Sequence, residues 1–105
     1  MRKTKKDRLE SAGWHLGDAA DFLVLTSEEA AFVELKLALA VYLREIRATQ
    51  GLTQAQVAQR LGSSQSRVAK MEAADASVSV DLLVKSLLAL GVSQGEVGHV
   101  IASAA

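Results

Sequence analysis

A short polar stretch in the second half of the chain carries side chains suited to reading another molecule by hydrogen bonding. Its members can all donate hydrogen bonds and none is acidic: Ser64, Gln65, Ser66, Arg67 and Lys70. On double-stranded DNA, glutamine pairs with adenine through two hydrogen bonds, serine bonds to several bases or to phosphate, and lysine reaches guanine or phosphate. We predict these roles here, with Arg67 directed toward the phosphate backbone. A solvated helix face is the alternative explanation.

Two short helices joined by a tight turn would position these side chains. The spacing of apolar residues predicts the first helix over about Gln54 to Leu61 and the second over about Ser64 to Glu72. Gly62 stands between them and can adopt the positive φ that a chain reversal needs. Gln54 can donate to a phosphate together with the free backbone N–H groups of its helix start, although simple solvent exposure is the alternative. The residues that would bury one another across the turn are Val57, Ala58, Leu61, Val68 and Met71.

This spacing resembles the helix-turn-helix of Cro/XRE-type repressors. The residues that carry the resemblance are Gln54, Ala58, Gly62, Val68, Met71 and Glu72. It extends from about Leu39 to Gly91, roughly half of the chain. Two adjacent positions differ from the family pattern, since Ala73 and Ala74 follow the second helix where the family often has a polar residue and glycine. The resemblance implies a lambda-repressor-like fold, a homodimer and double-stranded operator DNA as the ligand.

The preceding stretch, GWHLGDAADFLVLTSEEAAFVELKLALA, resembles bacterial antitoxin-type members of the same family that are related to the HigA group. Those proteins bind a RelE-like toxin and repress their own operon. The resemblance therefore implies a second role as an antitoxin, with a RelE-like toxin as the protein partner.

The longest predicted helix runs from about Ser27 to Thr49, with Thr26 and Glu29 at the spacing of a capping box. It carries two apolar rows, one of Phe32, Leu35, Leu39, Leu43 and Ile46 and the other of Val33, Leu37 and Val41. A helix packed on one side needs only one row, so two rows imply burial on two sides. One side can cover the helix-turn-helix. The other can meet the N-terminal segment, a second copy of the chain or another protein.

We predict two parts of the chain, a basic flexible arm and partner-facing segment over residues 1–26 and the helix-turn-helix domain over residues 27–105. Residues 1–8 hold five basic residues and one acid, whereas residues 10–34 hold six acids and no Lys or Arg. The arm could touch DNA or aid solubility, and the acidic block could suit a basic toxin or be a solvated surface. Residues 18–25 are either a short helix or a strand. The predicted partner-binding residues are Trp14, Phe22, Leu25, Val33, Leu37 and Val41.

The composition is typical of an all-helical protein, because half of the residues are apolar and there is no proline. Two further helices are predicted, one from about Asp81 to Leu90 with Ser79 as its cap, and a last one from Ser93 or Gln94 through Ile101. The predicted fold class is therefore all-α, a compact bundle of about five helices containing a lambda-repressor-like helix-turn-helix.

Several classes of function are not supported by the sequence. No nucleophile, base and orienting group occur together, so we predict that the chain is not an enzyme and needs no cofactor. Cysteine is absent, and His15 and His99 have no partners at metal-ligand spacing, so no metal site is predicted. No apolar run reaches the roughly 20 residues of a membrane span, and a cytoplasmic location is expected.

The leading prediction is a sequence-specific transcriptional repressor that also acts as an antitoxin. Two alternatives remain open, a protein-interaction module that uses the motif only as a scaffold and a phage-type repressor without a toxin.

Overall fold

Residues 26–104 are described by a computed structural model, and all of their regular structure is helical. The five helices are α1 (Ser27–Thr49), α2 (Gln54–Leu61), α3 (Gln65–Glu72), α4 (Val80–Ala89) and α5 (Gln94–Ser103). The predicted all-α class with about five helices is confirmed for this part of the chain. The predictions for Trp14, Phe22, Leu25, the basic arm and the conformation of residues 18–25 lie outside the described residues.

The chain divides into two units, residues 1–31 and 32–105. The first is described only at its end, where Thr26 and Glu29 form the predicted capping box. The Glu29 N–H donates to Thr26 Oγ1 at 3.1 Å, and the Thr26 N–H donates to Glu29 Oε1 at 3.1 Å. The predicted domain boundary after residue 26 stays a prediction.

Serine and threonine side chains fix where the four shorter helices begin. Thr53 caps α2, and Gln56 reaches back to accept from the Thr53 N–H at 2.8 Å. The side chains of Ser64, Ser79 and Ser93 each accept the backbone N–H three residues further on and so cap α3, α4 and α5, and α5 also has a capping box. Each cap contributes about 1 kcal/mol, which matters because helices as short as α2 and α3 are not stable alone. Since Ser64 is a cap, α3 begins one residue later than the sequence predicts.

Residues 32–104 share one apolar core to which all five helices contribute. Its buried members are Leu39, Ala40, Leu43, Val57, Ala58, Val68, Met71, Val78, Leu83, Leu87, Leu90, Val92 and Val97. Leu61, Leu82 and Val100 are partly buried against it. The side chains that were predicted to meet across the turn therefore lie in or against this core.

The two apolar rows of α1 have different environments. The row that contains Leu39 and Leu43 enters the core, where both side chains are fully buried. The side chains of the other row stay about half exposed: Val33 43%, Leu37 43% and Val41 47%. Phe32, the first residue of the buried row, is also 54% exposed. We call Val33, Leu37 and Val41 the exposed row of α1.

Polar contacts tie α1 to α5, and the residue after α1 to the residue after α4. The Tyr42 hydroxyl donates to Glu96 Oε2 at 3.1 Å, and Gln50 Nε2 donates to the Leu90 carbonyl at 2.8 Å. Glu96 also accepts from the Ser93 backbone N–H and hydroxyl as part of the α5 capping box. The Ser93 N–H, then the Ser93 and Tyr42 hydroxyls, hold the pKa of Glu96 below its ordinary value, so its ionised form stabilises this junction.

Candidate nucleic-acid interface

The α2–α3 pair forms a helix-turn-helix with a rigid base. Val57, Ala58, Val68 and Met71 are buried, and Gly62 makes the turn at a φ of +65°. The buried Met71 also contacts α4, because the Ser86 hydroxyl donates to the Met71 Sδ at 3.4 Å. The inner side of α3 is therefore fixed by packing against the core. The residues of α3 that do not enter the core form its outer, solvent-facing side.

The residues predicted to contact DNA in the second motif helix all lie at the surface: Ser64, Gln65, Ser66, Arg67 and Lys70. Ser64 has a second task, since its Oγ accepts the Arg67 backbone N–H at 3.2 Å as the cap of α3. The Ser64 and Ser66 hydroxyls lie 3.3 Å apart, and either can be the donor. The structure thus brings the predicted donors together, while their contacts with DNA stay a prediction.

The helical period assigns different directions to these side chains. Since Val68 and Met71 point into the core, Ser66 and Lys70 lie on the outermost side of α3. Gln65 lies on one flank, where its Nε2 is 3.2 Å from Gln54 Oε1 of α2. α3 therefore has an outer side and two flanks, and the side chains on the two flanks have different neighbours.

Arg67 lies on the opposite flank, beside α4. With Arg60 and Lys85 it lines an open groove of about 400 Å³ whose floor includes Leu61 and Leu82. Among the described residues, none of these three cations forms an ion pair. Their positive charge is therefore available to an anionic partner such as a phosphate.

A chain of hydrogen bonds on the Gln65 flank joins three helices. Arg47 of α1 makes a bidentate contact with Glu72 of α3, with Nε 2.6 Å from Oε2 and Nη2 3.0 Å from Oε1. Gln54 Nε2 also donates to Glu72 Oε1, at 3.1 Å. Gln65 then donates to Gln54. We call Arg47, Glu72, Gln54 and Gln65 the polar chain.

The ion pair in the polar chain is largely removed from water. The Glu72 side chain is 5% exposed and the Arg47 side chain 19%. Hydrogen bonding to Glu72 raises the pKa of Arg47 above its ordinary value, and burial opposes this in part. Arg47 Nη1 also donates to the Leu52 carbonyl at 3.1 Å, so the guanidinium is fixed on both sides.

Gln54 is half-buried rather than freely exposed, and its amide bridges Glu72 and Gln65. One of its two amide hydrogens remains for a phosphate, so its predicted role stays a prediction. The sequence did not indicate that Arg47 and Glu72 pair beneath the interface. The available signal was that Glu72 is the only acid between residues 54 and 72, which marks it as a residue that needs a partner.

No group of three or more His, Asp or Glu side chains suited to a metal ion occurs among residues 26–104. In the same residues, no helix has the length and apolar character required to cross a membrane.

In comparison with protein families, residues 38–100 match a family described as a helix-turn-helix domain. The matched range contains α2, α3 and α4 together with most of α1 and α5. No curated protein and no solved structure matches the chain significantly.

Proposed function

The chain belongs to the helix-turn-helix domain family, and on that premise we propose that it is a sequence-specific DNA-binding transcriptional repressor. The observation that carries the proposal is the outer surface of α3, where the exposed side chains donate hydrogen bonds and the inner side is fixed by the core. A helix of this kind fits the major groove, in which each base pair presents a distinct pattern of donors and acceptors.

The direction of each side chain supports a division of roles. We assign base edges to Ser66 and Lys70 on the outermost side of α3 and to Gln65 at its N-terminal end, and phosphates of the two groove walls to Gln54 and Arg67 on the two flanks. Residues 44–72 hold five basic residues against Glu45 and Glu72. Because the basic residues of this stretch outnumber its acids, the local charge that DNA meets is positive although the chain as a whole is neutral.

A repressor of this type would act as a homodimer. Two copies could then place their α3 helices in successive major grooves about one helical turn, ~34 Å, apart. The exposed row of α1 and the exposed Ile101 of α5 are both apolar surfaces that a second copy or another protein could cover.

The finer proposal is that the protein is also an antitoxin, with residues 13–43 facing a RelE-like toxin. The exposed row of α1 supports it, because three apolar side chains in line on one helix are suited to a protein partner. The acidic character of residues 10–34 is the second support, since a basic toxin would be attracted to it.

DNA binding is tested by fluorescence anisotropy of a labelled duplex from upstream of the protein's own operon, against a scrambled duplex, at several salt concentrations. We expect a clear preference for the native duplex and strong salt dependence. Gln65→Ala should relax that preference at a cost of roughly 1–3 kcal/mol, whereas Gln94→Ala, an exposed glutamine on α5, should change nothing. Weak binding that is indifferent to sequence would favour the interaction-module alternative.

The two flanks are tested by the slope of the binding constant against salt. Arg67→Ala and Gln54→Ala should each weaken binding to all duplexes and lower the slope by about one unit per lost phosphate contact. An unchanged slope for both variants would show that neither side chain meets a phosphate.

The antitoxin proposal is tested separately, by co-purification with the product of the neighbouring gene. Full-length protein should retain that product, and a chain without residues 1–26 should lose it. Retention by the shortened chain would count against the proposed toxin surface, and absence of any partner would favour a phage-type repressor.

A further inference from the structure

Glu72 stands out because it is a negative charge beside a surface proposed to meet DNA. It is the only acidic residue between residues 54 and 72, and its side chain is 5% exposed. A carboxylate at such a place would repel phosphates unless it were paired, and Arg47 pairs it. Arg47 alone, however, does not explain the third hydrogen bond, which Glu72 accepts from Gln54.

The direction of the hydrogen bonds in the polar chain follows from the chemistry of Glu72. An ionised carboxylate can only accept, so Gln54 must turn its Nε2 toward Glu72, and the distance is 3.1 Å. The carbonyl oxygen of the same amide then faces Gln65. Gln65 must in turn use its Nε2 as the donor, at 3.2 Å. The charge of Glu72 thus orients the amide of Gln54 directly and, through it, the amide of Gln65.

We propose that Glu72 is a positioning residue that determines which base Gln65 reads, because it fixes the hydrogen-bond polarity of Gln65 through Gln54. This rests on the proposed function, in which Gln65 enters the major groove. With its Nε2 bound to Gln54, Gln65 keeps its carbonyl oxygen and one N–H for DNA. Adenine offers the matching pair, an N6–H donor and an N7 acceptor.

The opposite polarity would favour a different base. If Gln54 turned its Nε2 toward Gln65, the Gln65 oxygen would accept that bond and only its two N–H groups would remain. Two donors match guanine, which presents the N7 and O6 acceptors in the major groove. The choice between adenine and guanine therefore depends on a residue that does not itself touch the base.

Glu72→Gln should reverse the donor–acceptor direction of the hydrogen bonds in the polar chain, with little change in side-chain volume. Arg47 Nε makes its shortest contact, 2.6 Å, with Glu72 Oε2, so the oxygen of the new amide should stay at that position. Its nitrogen then replaces Oε1 and faces Gln54, and Arg47 Nη2, which donates to Oε1 at 3.0 Å in the wild type, must turn away from it. Because this nitrogen donates, Gln54 should present its oxygen to it and its own Nε2 to Gln65.

Arg47→Lys is the matched control. It weakens the same buried pair, because lysine cannot make the bidentate contact, but it leaves Glu72 ionised and able only to accept. A purely structural role for Glu72 predicts that both variants change DNA binding alike. The proposed role predicts that only Glu72→Gln changes the preferred base.

The first measurement is on the free, full-length protein and does not depend on DNA. In NMR spectra, the side-chain amide signals of Gln54 and Gln65 should shift in Glu72→Gln and stay close to wild type in Arg47→Lys. The exposed Gln94 provides an internal reference. Circular dichroism checks that both variants are folded at the temperature used. Unchanged Gln65 amide signals in folded Glu72→Gln protein would overturn the proposed polarity.

The second measurement is the base preference on operator variants that carry adenine or guanine at each position. The position read by Gln65 is the one whose preference Gln65→Ala abolishes. There, wild type and Arg47→Lys should prefer adenine, and Glu72→Gln should lose that preference by about tenfold or reverse it. A retained adenine preference in Glu72→Gln would overturn the specificity role even if the amide signals had moved. Wild-type protein without any sequence preference would overturn the proposed function instead, while the NMR result would still decide the polarity.

Discussion

Among single residues, Gly62 and Gly98 allow the effect of backbone conformation on stability to be separated from the effect of steric contact. A methyl group added at either position would meet no atom within 4 Å. Gly62 has a φ of +65°, whereas Gly98 lies within α5, where ordinary helical angles hold. Any difference between alanine substitutions at these two positions therefore reports the backbone alone.

We expect Gly62→Ala to destabilise the protein by about 1 kcal/mol, because alanine is strained in the left-handed region. Gly98→Ala should instead stabilise it by about 0.5–1 kcal/mol, because alanine is the better helix former and restricts the unfolded chain. Urea denaturation of both variants measures the two changes. A shift of both midpoints in the same direction would contradict the conformational explanation.

Ala74 illustrates a residue whose conformation the sequence did not reveal. It takes a positive φ of 53° directly after α3, at the position where the resemblance leads one to expect glycine. The turn keeps its shape because the Ala74 N–H donates to the Met71 carbonyl at 3.1 Å and the Asp75 N–H to the Lys70 carbonyl at 3.0 Å. Its methyl group also packs against the core. Local hydrogen bonds and packing therefore offset a strain of about 1–2 kcal/mol.

Between elements, the Arg47–Glu72 pair joins α1 to α3 and fixes the C-terminal end of α3. Glu72→Ala should destabilise the protein by about 2 kcal/mol, because it leaves a mostly buried guanidinium without its partner; the partial exposure of Arg47 keeps the loss below that of a fully buried pair. The double variant Arg47→Met with Glu72→Leu should recover most of this loss, since apolar residues fill the same space without a desolvation penalty. Denaturant unfolding measures the free energy of unfolding of wild type, of the single variant and of the double variant, which together form the cycle.

The exposed Glu45 provides the control for this cycle, since Glu45→Ala should change stability by less than about 0.5 kcal/mol. A double variant as unstable as Glu72→Ala would mean that the loss comes from packing rather than from the unpaired charge.

The junction of α1 and α5 should be sensitive to acid. The pKa of Glu96 is lowered in the folded protein from its ordinary value of 4.5, so its contribution is complete above that pH. As the pH falls from 4.5 through the folded pKa, Glu96 takes up a proton and the contribution is lost. Stability measured between pH 6 and pH 3 should therefore fall less steeply in Glu96→Gln than in wild type. Parallel curves would show that Glu96 does not contribute to the acid dependence.

The elements were predictable from the sequence to the extent that their signals are local. The capping residues Thr53, Ser79 and Ser93 and the glycine at Gly62 set helix bounds close to those observed, because each acts within a few residues of its own position. The polar chain was not predictable, since it needs Arg47, Glu72 and Gln54 brought together from three helices. Periodicity gives the inward side of a helix but not the partner of a polar side chain on its flank.

In the molecule as a whole, the exposed row of α1 is the feature that the core does not explain. The sequence predicted two buried sides for this helix, and in the structure the second side is about half exposed. Apolar side chains in a row favour burial by association at about 25 cal/mol for each Å² removed from water. The row is therefore expected to be covered by the N-terminal segment, by a second copy of the chain or by another protein.

The triple variant Val33→Gln, Leu37→Gln and Val41→Gln tests this expectation, because glutamine keeps the helix and removes the apolar surface. We expect a loss of self-association or of partner binding, with a stability change below about 1 kcal/mol per residue, since only part of each side chain is buried in the free protein. Light scattering measures the oligomeric state, co-purification measures the partner, and urea denaturation measures stability.

Leu88→Gln with Ile101→Gln is the matched control, since these side chains are 41% and 38% exposed but belong to α4 and α5. Association lost in the control and kept in the triple variant would assign the interface to α4 and α5 instead. A stability loss above about 3 kcal/mol with unchanged association would mean that the exposed row is already buried in the free protein. Since neither set of substitutions touches the outer surface of α3, a loss of operator affinity confined to the triple variant would follow from its lost association.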